Sequence, residues 1–130
     1  MLDRARGYLG KARCAVLSTL GSDGAPHQSV VHYLVESDHL MVNARTDRIW
    51  ARNLQRNPRV SVVVHDAGDS QHWVGLKGVA EVAAIGEAAV ADAVTLAQRY
   101  GEDPAPFRTQ ERISFRIVPG RVYEYGVSEP

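Results

Sequence analysis

The sequence predicts a mainly β protein with peripheral helices, in which an antiparallel barrel carries its helices on the outside. Three observations lead there. Six or seven short β-rich segments recur along 130 residues, most of them bounded by turn-forming residues. Only three segments carry a helical pattern. Strands and helices do not alternate strictly, as a parallel βαβ sheet would require.

Residues 2–12 place Leu2, Ala5, Leu9 and Ala12 among basic residues, the pattern of a short amphipathic helix. Residues 14–20 are β-rich and apolar, a buried strand, and Gly21-Ser22-Asp23-Gly24 supplies a turn. Residues 27–35 alternate and run to a second turn at Glu36-Ser37-Asp38, followed by a strand at 40–43. These three strands read as a meander joined by tight turns. A helix is expected over 47–56, with Thr46 or Asp47 capping its first turn and Asn57-Pro58 ending it. Val60, Val62 and Val64 share one face of the next strand. Residues 72–83 form a long strand in which Gly75 and Gly78 mark bends or close backbone approach. An alanine-rich helix over 87–100 stops at Gly101. A Pro-containing loop then precedes an alternating strand at 113–117. Pro119-Gly120 breaks that strand, and 122–125 is a last strand or its continuation.

The length suits one domain, residues 1–130, large enough for a core. The chain is 45% apolar and carries 15 basic against 15 acidic residues, a balance that argues against a general nucleic-acid binder. No apolar run approaches a membrane span, and the first residues lack a signal-peptide core. The single cysteine, Cys14, allows no internal disulfide and is expected in the core, so a reducing cytoplasm is the expected compartment. The five histidines show no helical zinc spacing, and no metal site is expected. Neither a hydrolase elbow around a serine nor a Gly-rich phosphate loop is present. Any redox chemistry would therefore fall to a bound cofactor.

Residues 45–59 hold five arginines and one acid, a net +4 in an otherwise neutral chain. Arg48, Arg52 and Arg56 recur every fourth residue on one helix face, where like charges repel by about 0.2–0.5 kcal/mol per pair. A bound anion at the helix start would offset that cost, with Arg45 and Arg48 gripping a phosphate. A solvated basic face with acidic partners elsewhere is the competing reading. Trp50 either packs on the barrel or a subunit partner, or stacks on a planar ligand. Trp73 is equally open between core and ligand. His27, Gln28 and Ser29 supply polar groups entering a strand, with His32 on the same face as Gln28 and Val30. Arg112 and Arg116 are expected to face solvent.

The order of the pieces is identified as that of a known family. Asp23-Gly24-Ala25-Pro26-His27-Gln28-Ser29 follows the first strand. The run Arg52-Asn53-Leu54-Gln55-Arg56-Asn57-Pro58-Arg59-Val60 comes after the basic helix. Then follow Lys77-Gly78-Val79-Ala80-Glu81-Val82 and Ile117-Val118-Pro119-Gly120-Arg121-Val122-Tyr123. Over roughly residues 5–126 this resembles the pyridoxamine 5′-phosphate oxidase-like split-barrel superfamily, and within it the flavin- and deazaflavin (F420)-dependent oxidoreductases.

The resemblance implies an antiparallel split β-barrel, also called the FMN-binding split barrel, and a homodimer with cofactor sites between subunits. It places the cofactor phosphate near the start of the basic helix, on Arg45, Thr46, Arg48 and neighbouring backbone such as Ile49 and Trp50, with Arg52 and Asn53 beyond. The ring system would lie against Gln28, Ser29 and Val30 and the strand end at Asn43 and Ala44. Trp73 would close the site, from the opposite subunit. Many relatives carry a lysine where this chain has Trp50, a contact that tryptophan cannot make. F420 is the expected cofactor, because Arg52 and Arg56 suit its polyglutamate tail, and FMN is the alternative. The implied activity is hydride transfer between reduced deazaflavin and an unsaturated small organic substrate, with His32 or Tyr33 as candidate proton donor. The alternatives are an FMN-dependent oxidase or reductase and a non-catalytic module holding flavin, deazaflavin or haem.

Overall fold

The computed structural model describes residues 1–127. The chain opens with a 3-10 turn at Asp3–Ala5 and a four-residue helix, α1, at Arg6–Leu9. Then come β1 (Cys14–Leu20), β2 (Pro26–Val31), β3 (Leu34–Glu36), β4 (His39–Arg45), α2 (Ile49–Arg56), β5 (Arg59–Asp66) and β6 (Asp69–Ile85). The helix α3 (Gly86–Arg99), a 3-10 turn at Ala105–Thr109 and β7 (Arg112–Tyr125) complete the fold. No described helix is long and apolar enough to cross a membrane.

All seven strands join one antiparallel sheet in the order β2-β1-β5-β6-β7-β4-β3. β2 and β3 sit at its two ends, yet only His32 and Tyr33 separate them in sequence. The segment 26–36 thus belongs to both edges, and the sheet must roll to let it. Here the expectation of one strand over 27–35 in a three-strand meander is corrected. Its first half pairs with β1 and its second with β4, so it divides where the partner changes.

The barrel interior follows from alternation along the strands. Leu17, Val62 and Leu76 face one another across β1, β5 and β6, each no more than 2% exposed. Val42, Phe115 and Ile117 fill the other side, and α2 adds Trp50, Ala51 and Leu54. Tyr33 is the largest fully buried side chain.

Several local expectations change. The helix over 2–12 shortens to two brief turns. β7 is not broken at Pro119-Gly120. Lys77 pairs with Arg121 and Gly78 with Pro119, so Gly120 is absorbed as a bulge. Gly78 permits that approach, since a Cβ there would strike the carbonyl oxygen of Val118. Cys14, expected in the core, is exposed at the start of β1, where alternation turns it outward from the buried Ala15. Neither Thr46 nor Asp47 caps α2. Its cap is Arg48 in an extended conformation, with no side-chain hydrogen bond. Asn57 ends the helix as expected.

Candidate functional site

A cavity of about 670 Å³ opens between the end of β4, the start of α2, the β2 edge and α3. Its polar end follows from strand register. β4 and β7 pair so that Arg45 stands directly opposite Arg112, and Arg48 follows one turn later. Arg45 Nε contacts Asp47 Oδ1 at 3.2 Å. Arg48 has no ion-pair partner among the described residues. Three guanidiniums thus line one cavity with two carboxylates, Asp47 and Glu102, beside the first-turn amides of α2, which no described side chain caps.

Arg112 is held firmly. Its Nε donates to Asn43 Oδ1 at 2.9 Å and its Nη1 to Gln110 Oε1 at 2.7 Å, and its guanidinium lies 4.8 Å from the Phe107 ring centre. Asn43 is oriented in turn, donating through Nδ2 to the Ala89 carbonyl at 2.8 Å and to Ser114 Oγ at 2.9 Å. Ser114 donates to Asp92 Oδ2 at 2.7 Å. A polar chain therefore runs from α3 through β7 and β4 to the cavity arginine. Burial, and then the positive charges of Arg45 and Arg48, push the Arg112 pKa down. An anion bound here would relieve that crowding.

The rest of the wall is mixed. Val30 and Ile49 line the cavity while remaining exposed, and Leu96 and Ala97 of α3 lie across from them with Phe107. The β2 edge contributes His27, whose Nε2 lies 3.2 Å from Ser29 Oγ, and His32, which meets Glu102. A group with an anionic end and a flat apolar body fits this layout.

The structure brings Ser29, Val30, Asn43, Ala44, Arg45, Arg48, Ile49 and Trp50 to the cavity wall. Trp50 is only 6% exposed and packs tilted against Phe115 at 6.0 Å between centroids, which serves the core. The remaining candidates lie elsewhere. Gln28 is exposed and contacts Ser18, Thr46 donates its backbone N–H to Glu111, and Arg52 is exposed on α2. Asn53 is buried, donating to Thr19 Oγ1 at 3.0 Å and accepting from Arg56 at 2.6 Å. Trp73 stands away from the cavity, parallel to Tyr125 and edge-on to Tyr123. Arg112 was expected to face solvent, and the structure corrects this, although Arg116 is half-exposed and paired with Glu81. Phe107 and Glu102 were also missed, because nothing local in a loop sequence tells which cavity it will line.

A rolled antiparallel sheet with a cation-lined cavity at a helix start defines a flavin-binding type of split barrel. The chain belongs to the pyridoxamine 5′-phosphate oxidase family, whose sequence model matches residues 1–126. This family binds flavins and its fold includes oxidoreductases. Among solved structures, an F420 reductase is 21% identical, with a TM-score of 0.78 over 91% of this chain and 94% of its own. A conserved hypothetical protein from Mycobacterium tuberculosis is 25% identical, with a TM-score of 0.79 over 96% and 84%. A haem storage protein from Vibrio cholerae is 19% identical, with a TM-score of 0.78 over 97% and 95%. Comparison with curated proteins finds no match.

Proposed function

We propose that this protein is an oxidoreductase that binds the deazaflavin F420 and uses it to reduce an unsaturated small organic compound. One observation carries the reading. Arg45, Arg48 and Arg112 converge at the uncapped start of α2, on a cavity with an apolar wall. The guanidiniums and the helix amides would hold the phosphate end. Val30 and Ile49 would support the ring system. Arg52, exposed one turn along α2 from Arg48, would meet an acidic tail outside the cavity. When bound, the deazaflavin supplies hydride transfer, and the chain's own residues bind, orient and exclude water. The fold similarity to an F420 reductase supports this choice among cofactors.

The reading includes a homodimer. Val30, Val16 and Val63 line up across β2, β1 and β5 on the outer face of the sheet, and Trp73 and Tyr125 extend that face. A second copy packed there would cover this apolar surface and narrow the open side of the cavity.

Fluorescence titration of the purified protein with F420, FMN and haem tests the proposal. Tight F420 binding with weaker FMN binding is expected. Preference for FMN would move the protein to the flavin branch. Binding of haem alone would make it a haem-binding module and sink the oxidoreductase reading.

A further inference from the structure

The point where the barrel splits carries chemistry that anion binding does not use. His32 sits between β2 and β3, on the cavity wall. Its ring stacks on Tyr100, with centroids 3.7 Å apart and planes 4° from parallel. Its Nδ1 lies 3.1 Å from Glu102 Oε1. Both residues line the cavity, across from Arg45, Arg48 and Arg112.

The nearby carboxylate distinguishes the two ring nitrogens. At 3.1 Å from an ionised carboxylate, a proton on Nδ1 is favoured over a bare lone pair, although the contact is an ion-pair approach rather than an aligned hydrogen bond. Nε2 is then the nitrogen that gains or releases a proton, and no described residue bonds it. Stacking on Tyr100 holds the ring plane. A histidine held by stacking beside a carboxylate, with no partner on its far nitrogen, on the wall of a ligand-sized cavity is arranged as a proton-transfer group.

Nearby alternatives are already engaged. The Tyr33 hydroxyl is buried against the carbonyls of Leu9 and Lys11, at 2.9 and 3.0 Å. Burial raises its pKa to about 12, which suits a structural phenol. The Tyr100 hydroxyl donates to the Arg13 carbonyl at 2.7 Å. His27 reaches the cavity but has only the Ser29 hydroxyl beside it, with no carboxylate to set its tautomer.

We infer that His32 is the proton donor to the substrate and that Glu102 is its positioning residue. The inference rests on the oxidoreductase reading above. A bound reduced deazaflavin would supply the hydride to one carbon of the substrate's C=C bond, being oxidised by two electrons. The π electron pair forms a bond from the other carbon to the proton leaving His32 Nε2. Neutral His32 then recovers a proton from solvent. Run in reverse, the same nitrogen is the base.

Two measurements test this. In the ¹⁵N-labelled protein without cofactor, long-range proton–nitrogen spectra should show neutral His32 as the Nδ1–H tautomer, and Glu102→Ala should shift it toward the Nε2–H form. An Nε2–H tautomer in the wild type would overturn the orientation argument. In single-turnover reduction of a cyclic enone by reduced F420, His32→Ala and His32→Gln should both fall by about 10²–10⁴-fold. F420 affinity and the unfolding temperature should change little, and His39→Ala, which does not line the cavity, should stay within a few fold of wild type. Added imidazole should restore part of the rate to His32→Ala, a response that a purely structural role would not give. Wild-type turnover in His32→Ala, or a loss that imidazole does not relieve, would overturn the assignment. A wild-type protein that binds no F420 would instead sink the functional reading, and the donor role with it.

Discussion

Two groups of arginines in this chain differ in how fully the fold partners them. At the seam between α1, β3 and the end of α3, Arg99 donates to the carbonyls of Leu9, Gly10 and Lys11 at 3.1, 3.1 and 3.0 Å. Arg13 grips Asp66 at 2.6 Å and lies over the Tyr8 ring. At the cavity, Arg45 pairs with Asp47 and Arg112 has the neutral acceptors of Asn43 and Gln110, whereas Arg48 has no ion-pair partner among the described residues. Residue type is the same in both regions, and partnership differs. Where the fold provides acceptors, a guanidinium acts as a clamp for the chain. Where it withholds them, as at Arg48, the unsatisfied charge is available to a ligand.

The largest effect should come from the clamp. Arg99→Ala would leave the carbonyls of Leu9, Gly10 and Lys11, at the end of α1, without their cationic donor. Hydrogen bonds to charged groups contribute roughly 1.5–3 kcal/mol each, but these are partly solvated, so a total loss of about 3 kcal/mol is expected. Urea unfolding reads it directly. Cofactor affinity should be unchanged. A stable Arg99→Ala protein with impaired F420 binding would reverse the assignment of the two regions.

The same seam predicts alkaline sensitivity. Tyr33 is fully buried, and desolvation raises its pKa from 10.0 to about 12. The folded state therefore holds the phenolic proton more tightly than the unfolded state. Below about pH 10 both states are neutral and nothing is lost. As pH rises toward 12 the unfolded chain ionises first, and stability should fall by about 2–3 kcal/mol over that window. In Tyr33→Phe this part of the alkaline loss should vanish. Unfolding curves at pH 9 and pH 11.5 compare the two proteins. Equal losses would show that the seam is wetter than its burial indicates.

How much of this was legible in the sequence depends on the range of the interaction. Strands such as β1 and β5 announce themselves through local alternation, and the basic content of α2 is visible at once. Arg112 is different. Its neighbours along the chain give an ordinary alternating strand, and only the pairing of β7 with β4, nearly seventy residues earlier, sets it opposite Arg45. The division of residues 26–36 is hidden for the same reason, since local alternation continues through a change of partner. Arg52 looked equivalent to Arg48 by helical spacing, yet Arg48 is the extended cap that turns into the cavity and Arg52 is one turn beyond it. Glu102 and Phe107 came to the site on a loop, where no periodicity guides the reading.

Arg48→Ala is the smallest change and the sharpest contrast with Arg99→Ala. No described residue depends on its guanidinium, so unfolding free energy should stay within about 0.5 kcal/mol of wild type. Affinity for both FMN and F420 should fall by about tenfold, or ~1.4 kcal/mol, as one charge-assisted contact to the phosphate end is lost. Arg52→Ala separates the cofactors further. It lies outside the cavity, so FMN binding should be unaffected, while F420 should lose a few fold through its acidic tail. If Arg48→Ala lowered stability and binding together, the guanidinium would be serving the fold, and the distinction between clamped and free arginines would fail where it matters most. If Arg52→Ala weakened FMN as much as F420, the phosphate would sit farther along α2 than the cavity places it.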